Sequence, residues 1–166
     1  MKKITPFFSQ YAFAIIAMSC LFSLSFALFV EHVLGHAPCH LCYWQRAIYL
    51  LGLMISSSAI FIKSTPKQQQ KLFTLCALIF LAESGVAFYH SGVEQHWWMG
   101  SSACVGSSAA QSAEDLLKNI IASPIVRCDE VSWSLLGVSM PNWNAAWALF
   151  LSIYTLWVVF YRKRIR

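Results

Sequence analysis

The chain has 166 residues, of which 58% are hydrophobic and only 11% charged. A soluble domain of this length cannot hide so much apolar surface, so the class is integral membrane, read as a single membrane domain over 1–166. The net charge of +5 reads as membrane topology and gives a nucleic-acid role little support.

Taken in chain order, four apolar segments reach the roughly 20 residues that a bilayer-crossing helix needs. The first, over 11–30, follows Lys2 and Lys3. That pattern also occurs in signal peptides, but this run is too long for a typical signal core and no small-x-small site follows it. An outer loop over 31–42 leads to the second span, 43–62. A polar inner loop over 63–71 carries Pro66 and joins it to the third span, 72–89. The outer loop 90–142 is the one long polar stretch, and the fourth span covers 143–161. The expected fold is therefore all-α, a four-transmembrane-helix bundle with a long outer loop.

Orientation follows from the cations. Lys2, Lys3, Lys63, Lys67, Lys71, Arg162, Lys163, Arg164 and Arg166 account for nine of the twelve Lys and Arg and fall on one side, which the positive-inside rule makes cytoplasmic. Both termini are then inside and both cysteine-bearing loops outside. In a bacterial host that outer compartment is the oxidising periplasm, where disulfides persist. Within the long loop, Ala113, Leu116, Leu117, Ile120 and Ile121 recur at helical spacing, with Ser112 as a cap and Pro124 as a stop. This predicts a short amphipathic helix lying on the bilayer surface, or an ordinary loop helix packed on protein. Trp and Tyr residues at the span ends suit the headgroup region and need no functional account.

The residues that carry chemistry begin with Cys39-His40-Leu41-Cys42. A Cys-x-x-Cys pair builds an exchangeable disulfide, because a vicinal partner lowers one thiol's pKa and resolves mixed disulfides. Pro38 favours an extended entry into the helix, and a Cys42 in the first turn would have its thiolate favoured by the helix dipole. The competing reading is a zinc site using nearby His32, His36 and His40, but no second tight ligand pair closes a tetrahedral set. Arg46 lies one turn past Cys42 on the same face; it is read as stabilising a thiolate or binding a quinone oxygen, with snorkelling as the alternative. Glu83 and His90 share a face of the third span. Either handles protons during redox chemistry, or Glu83 makes a structural hydrogen bond or an ion pair with Arg46. Cys104 and Cys128 flank the amphipathic segment. Alone they read as a structural staple; beside an exposed Cys-x-x-Cys they read as a second, shuttling pair. Cys20 and Cys76 fall in apolar spans and read as small hydrophobes.

These features together resemble the disulfide-bond-formation protein B (DsbB) family. The resemblance rests on Pro38-Cys-His-Leu-Cys42 followed by Arg46, on Phe88-Tyr-His90, on Cys104, and on Cys128 leading into Trp133-Ser-Leu-Leu-Gly137 and Met140-Pro-Asn-Trp143. It implies a bacterial inner-membrane thiol–disulfide oxidoreductase that reoxidises a periplasmic DsbA-like dithiol oxidase and passes electrons to the membrane quinone pool, ubiquinone or menaquinone. It further implies Cys39, Cys42, Cys104 and Cys128 as the redox residues, paired as Cys39–Cys42 and Cys104–Cys128, with Arg46 and His90 near the quinone and no metal. This chain departs from the family in the small, polar run after Cys104, and in Arg127, whose charge beside Cys128 would depress that thiol's pKa. An enzyme of the vitamin K epoxide reductase type and a Cys/His metal-binding membrane protein are the alternative readings.

Overall fold

The computed structural model describes residues 4–62, 64–101, 104 and 126–164. Four helices account for most of them: α1 (Ile4–His32), α2 (His40–Phe61), α3 (Pro66–Glu94) and α4 (Met140–Arg164). Among the described residues, three helices are long and apolar enough to cross a membrane, over Ser9–His32, Pro66–Glu94 and Met140–Arg164. α2 is 22 residues long and packs against both α1 and α3, while α3 runs along α4. The expected loop helix over 113–121 lies outside the described residues.

Local chemistry explains where α3 starts and stops. Much of the expected inner loop is helical, because Thr65 and Gln68 form a reciprocal capping box and Pro66 occupies the first turn, where its missing N–H costs nothing. At the far end α3 continues past the expected boundary to Glu94. It closes with His96 at φ 58°, with Trp97 N–H donating to Gly92 O at 2.9 Å and His96 N–H to Val93 O at 3.1 Å. This paired closure satisfies carbonyls that the helix end would otherwise orphan.

The core combines apolar stacking with polar links between helices. Phe13 and Phe73 stack at 3.8 Å between centroids, within a buried cluster that also holds Cys20, Tyr49, Cys76 and Phe80. Cys20 and Cys76 are thus packed as core side chains, as their apolar surroundings predict. Gly52 of α2 lies where a Cβ would sit 3.2 Å from both Cys20 Sγ and Phe80 Cζ, so a small residue there permits the close approach of three helices. Along the α3–α4 seam, Ser84 Oγ donates to Ala145 O and Ser152 Oγ to Ala77 O. Before α4, the short strands β1 (Ser134–Leu135) and β2 (Val138–Ser139) pair antiparallel. Their two-residue turn has Leu136 at φ 55° and Gly137 at φ 76°, the left-handed pair that matches strand twist in a hairpin. A leucine in the first of those positions hides the turn from a sequence reading, which leaves 134–139 as loop.

Candidate active site

Cys39 is the N-cap residue of α2, extended at φ −80° and ψ 174°, and makes no side-chain cap bond. The N–H groups of the first turn therefore remain for other acceptors. The Cys128 sulfur lies beside this turn, where the Leu41 and His40 amides help to hold its thiol below the usual range. The helix N-terminus thus serves a sulfur from the long outer loop, in addition to the Cys42 that the sequence reading placed in its first turn. Cys128 N–H donates to Cys104 O at 3.0 Å, which ties the two loop cysteines together. Cys39, Leu41, Val93, Cys104 and Cys128 make one small buried cluster, with Cys42 at its edge. All six cysteines are free thiols in this arrangement, and Cys39 Sγ lies 3.0 Å from Cys42 Sγ.

The four clustered thiols are not equivalent. Cys39 donates to Cys128, and that bond, with further help from Cys104 and the α2 amides, pushes the Cys128 thiol down to about 6 against opposing burial. Cys39 is pushed up by the same bond to Cys128, by its bond to Cys42 and by burial. Burial, then the bond to Cys128, pushes Cys104 up. Protons therefore stay on Cys39 and Cys104 while Cys128 carries the negative charge. A hydrogen bond to the charged form is what lowers a pKa. Arg127 has a different role from the one expected. Its guanidinium is held by Asp129 at 2.6 Å and lies 3.5 Å from Glu130, so the thiolate at Cys128 owes its stability to sulfur and backbone donors. Thiolate ultraviolet absorbance of the reduced protein, taken as a difference against Cys128→Ser, should titrate with a midpoint of about 6. In Cys39→Ala the midpoint should rise, and an unmoved midpoint would discount the Cys39 bond.

Arg46 and His90 complete the site from two helices. The Arg46 guanidinium pairs with Glu31 at the end of α1 and donates from its second terminal nitrogen to Ala27 O at 3.2 Å. Its Nε is buried with no hydrogen-bond partner among the described residues. The expected alternative of an Arg46–Glu83 pair is not realised, since Glu83 instead accepts from Asn144. His90 lies 3.5 Å from Cys39 Sγ through Nε2 and 3.1 Å from Gln45 Nε2 through Nδ1. The ligating atoms of Cys39, Cys42 and His90 all fall within 4.8 Å of one another.

Cys39, Cys42, Arg46 and His90 line the same cavity of about 350 Å³. Its walls are otherwise largely apolar, including Phe26, Val30, Trp133 and Met140. Trp133 is held edge-on to Phe26 at 5.6 Å. Of the residues the resemblance implies, Cys39, Cys42, Arg46 and His90 meet at this cavity, and Cys104 and Cys128 join them through the cluster around Cys39. Sequence reasoning missed Glu31, Gln45 and Asn144. The last two carry a usable signal, since each is an uncharged polar side chain inside an otherwise apolar segment; Glu31 looks like any loop acid.

Buried thiols at the mouth of an apolar cavity, set among membrane-length helices, define a membrane protein of thiol–disulfide chemistry. The chain belongs to the DsbB family: the family model described as Disulfide bond formation protein DsbB matches residues 9–158. It is similar to the Disulfide bond formation protein B of Stutzerimonas stutzeri, 30% identical over 142 residues, covering 81% of this chain and 84% of that protein. The protein of the same name from Chromobacterium violaceum is 27% identical over 167 residues, covering 94% of this chain and 96% of that one. That of Acinetobacter baumannii is 27% identical over 152 residues, covering 88% of each. Membership implies a thiol–disulfide oxidoreductase in a multi-pass membrane protein.

Proposed function

We propose that this protein oxidises a soluble DsbA-like dithiol partner on the outer face of the bacterial inner membrane and delivers the electrons to ubiquinone or menaquinone. In this reading α2 is a fourth crossing, both termini are cytoplasmic, and Cys39–Cys42 and Cys104–Cys128 are the resting disulfides. The observation that carries it is the position of Cys128, buried in one cluster with Cys39 and Cys104 and tied to Cys104 O through its own N–H at 3.0 Å. A sulfur between the two pairs is what a relay between loops requires.

The exchange steps follow from that contact. A thiolate of the partner attacks Cys104, the Cys104–Cys128 bond breaks, and Cys128 leaves as a thiolate. Its low pKa makes it a good leaving group. The partner's second thiolate then attacks its own bonded sulfur, so the partner departs oxidised and Cys104 is reduced. Cys128 next attacks Cys39, and Cys42 leaves as the thiolate. Finally Cys104 attacks Cys128 and releases Cys39, which restores the outer disulfide and leaves Cys39 and Cys42 as a dithiol. Cys104 is fully buried here, so this arrangement suits the internal exchange, and docking of the partner must expose that sulfur.

The quinone reading is supported by the cavity. Ligand sites are mainly apolar concavities with a few convergent polar groups, and a dry pocket of about 150 Å³ accepts a benzene ring. A volume of about 350 Å³ suits a substituted one- or two-ring head. The unpartnered Nε of Arg46 offers a donor to a quinone oxygen, beside the Cys42 sulfur. Bound there, a quinone would supply a two-electron, two-proton sink for the Cys39–Cys42 dithiol.

The defining experiment is quinone reduction by the purified protein on addition of a reduced periplasmic dithiol protein. No reduction with either quinone would overturn the reading. Entry at Cys104 has its own test. Cys128→Ser leaves Cys104 as a free thiol; on adding the oxidised partner, Cys104 should attack the partner's disulfide and displace its second sulfur as a thiolate, giving a mixed disulfide visible on acid-quenched non-reducing gels. A well-expressed variant that never forms this adduct would show that Cys104 is not the entry thiol.

A further inference from the structure

Behind the cysteines lies a hydrogen-bonded chain of side chains that joins α2, α3 and α4. It begins at Glu83, fully buried on α3. Glu83 Oε1 accepts from Asn144 Nδ2 of α4 at 2.7 Å. The same amide nitrogen donates to Gln45 Oε1 of α2 at 2.9 Å, and Asn144 Oδ1 accepts from Tyr49 Oη at 2.7 Å. Gln45 Nε2 then meets His90 Nδ1 at 3.1 Å, and His90 Nε2 faces Cys39 Sγ at 3.5 Å.

Each link constrains the next. Asn144 turns its NH₂ toward Glu83, whose Oε1 accepts, and its Oδ1 toward the Tyr49 hydroxyl. That nitrogen also faces Gln45, which must answer with oxygen. Gln45 is then left with its NH₂ toward His90, so Nδ1 accepts and the ring proton sits on Nε2. Flipping Gln45 alone would set two NH₂ groups together; flipping Asn144 as well requires Glu83 Oε1 to carry a proton and donate, so it is an ionised Glu83 that fixes the direction. Amide and imidazole orientation is assigned from the surrounding network, and Glu83 in its ionised form supplies the neighbour with a single role.

We propose that Glu83, Asn144 and Gln45 are positioning residues that hold His90 in its Nε2–H tautomer, so that it donates a hydrogen bond to the Cys39 sulfur. Resting on the thiol-relay function above, this gives His90 a defined task. It steadies the sulfur that must accept attack from Cys128 and then be released from it. The chain orients and does not conduct. Side-chain amides pass protons poorly, and two of them stand between Glu83 and His90. In this tautomer Nε2 carries the ring proton, so His90 donates to Cys39 and does not take its proton.

The test is nitrogen-15 NMR of the imidazoles in the full-length reduced protein in detergent, at mildly alkaline pH, with His90 assigned by His90→Gln. Expected is a protonated Nε2 and an unprotonated Nδ1. Gln45→Glu places an acceptor at Nδ1 and should move the proton there, and the rate of exchange from Cys128 to Cys39, followed by acid quench, should fall about tenfold. That is the loss of roughly one hydrogen bond of ordinary strength. Gln45→Met, which keeps the length and removes the donor, should leave a mixture of tautomers and an intermediate rate. A wild-type ring protonated at Nδ1 overturns the proposal, whatever the variants do. So does a Gln45→Glu protein that keeps both the wild-type tautomer and the wild-type rate. The stated tautomer in a protein with no exchange between its cysteine pairs would instead overturn the relay function and leave the orienting chain standing.

Discussion

Cys39→Ala is expected to abolish dithiol-driven quinone reduction outright, because no partial relay survives the loss of its central sulfur. Cys39 Sγ lies 3.0 Å from Cys42 Sγ and shares a buried cluster with Cys128. Without it the inner disulfide cannot form, and the reduced outer pair has no bond to attack. The variant should still perform one exchange with the soluble partner through Cys104 and Cys128, and then stop. Single-turnover acid quench and thiol counting separate that one event from steady turnover. Cys42→Ala should stall differently, holding a bond between Cys39 and Cys128, since that pair retains both sulfurs. Sustained quinone reduction by Cys39→Ala would mean that electrons pass from Cys128 to Cys42 directly, and the order of steps proposed above would fall.

The fold was legible from the sequence where a single physical cause acted. Apolar length placed α1, α3 and α4, because a bilayer imposes one dimension on every crossing. Boundaries were less legible. α3 starts inside a loop that looks merely polar, because Thr65 and Gln68 cap it reciprocally. It also outruns its apolar stretch to reach Glu94, which lengthens the element that carries His90. The hairpin at 134–139 escaped notice because Leu136 occupies a left-handed position usually given to glycine or asparagine.

The site shows a similar division. Cys39, Cys42 and Arg46 could be grouped in advance because they lie within two turns of one helix. Nothing in the spacing of Cys104 and Cys128 reveals that Cys128 would sit over the N-terminus of α2, since that contact is tertiary. Nor does the sequence indicate that Glu31 would engage Arg46 from another helix. The sequence allows Glu83 to be a proton carrier, a hydrogen-bonding group or a partner for Arg46; in the structure it accepts a hydrogen bond from Asn144, on α4. Polar residues in apolar spans tend to find one another across helices, so the existence of partners was foreseeable but their identity was not.

The partnership of Arg46 with Glu31 shapes the second large prediction. Arg46→Ala should raise the apparent quinone KM by about ten- to a hundredfold, the range for a charge-assisted hydrogen bond of roughly 1.5–3 kcal/mol. Reoxidation of the Cys39–Cys42 pair should slow as well. Exchange between the outer pair and the soluble partner should change little, because that chemistry takes place at Cys104. Arg46→Lys should rescue only in part, since it keeps the charge and loses the planar fork that serves Glu31, Ala27 O and a further acceptor at once. Glu31→Gln separates the two tasks of this side chain. If Arg46 serves the quinone, Glu31→Gln frees the guanidinium without removing it, and KM stays within a fewfold of wild type. If Arg46 only ties α2 to α1, Glu31→Gln and Arg46→Ala should lower thermal stability alike and leave quinone kinetics intact. That second pattern would remove Arg46 from the quinone site and leave His90 as the next residue to test.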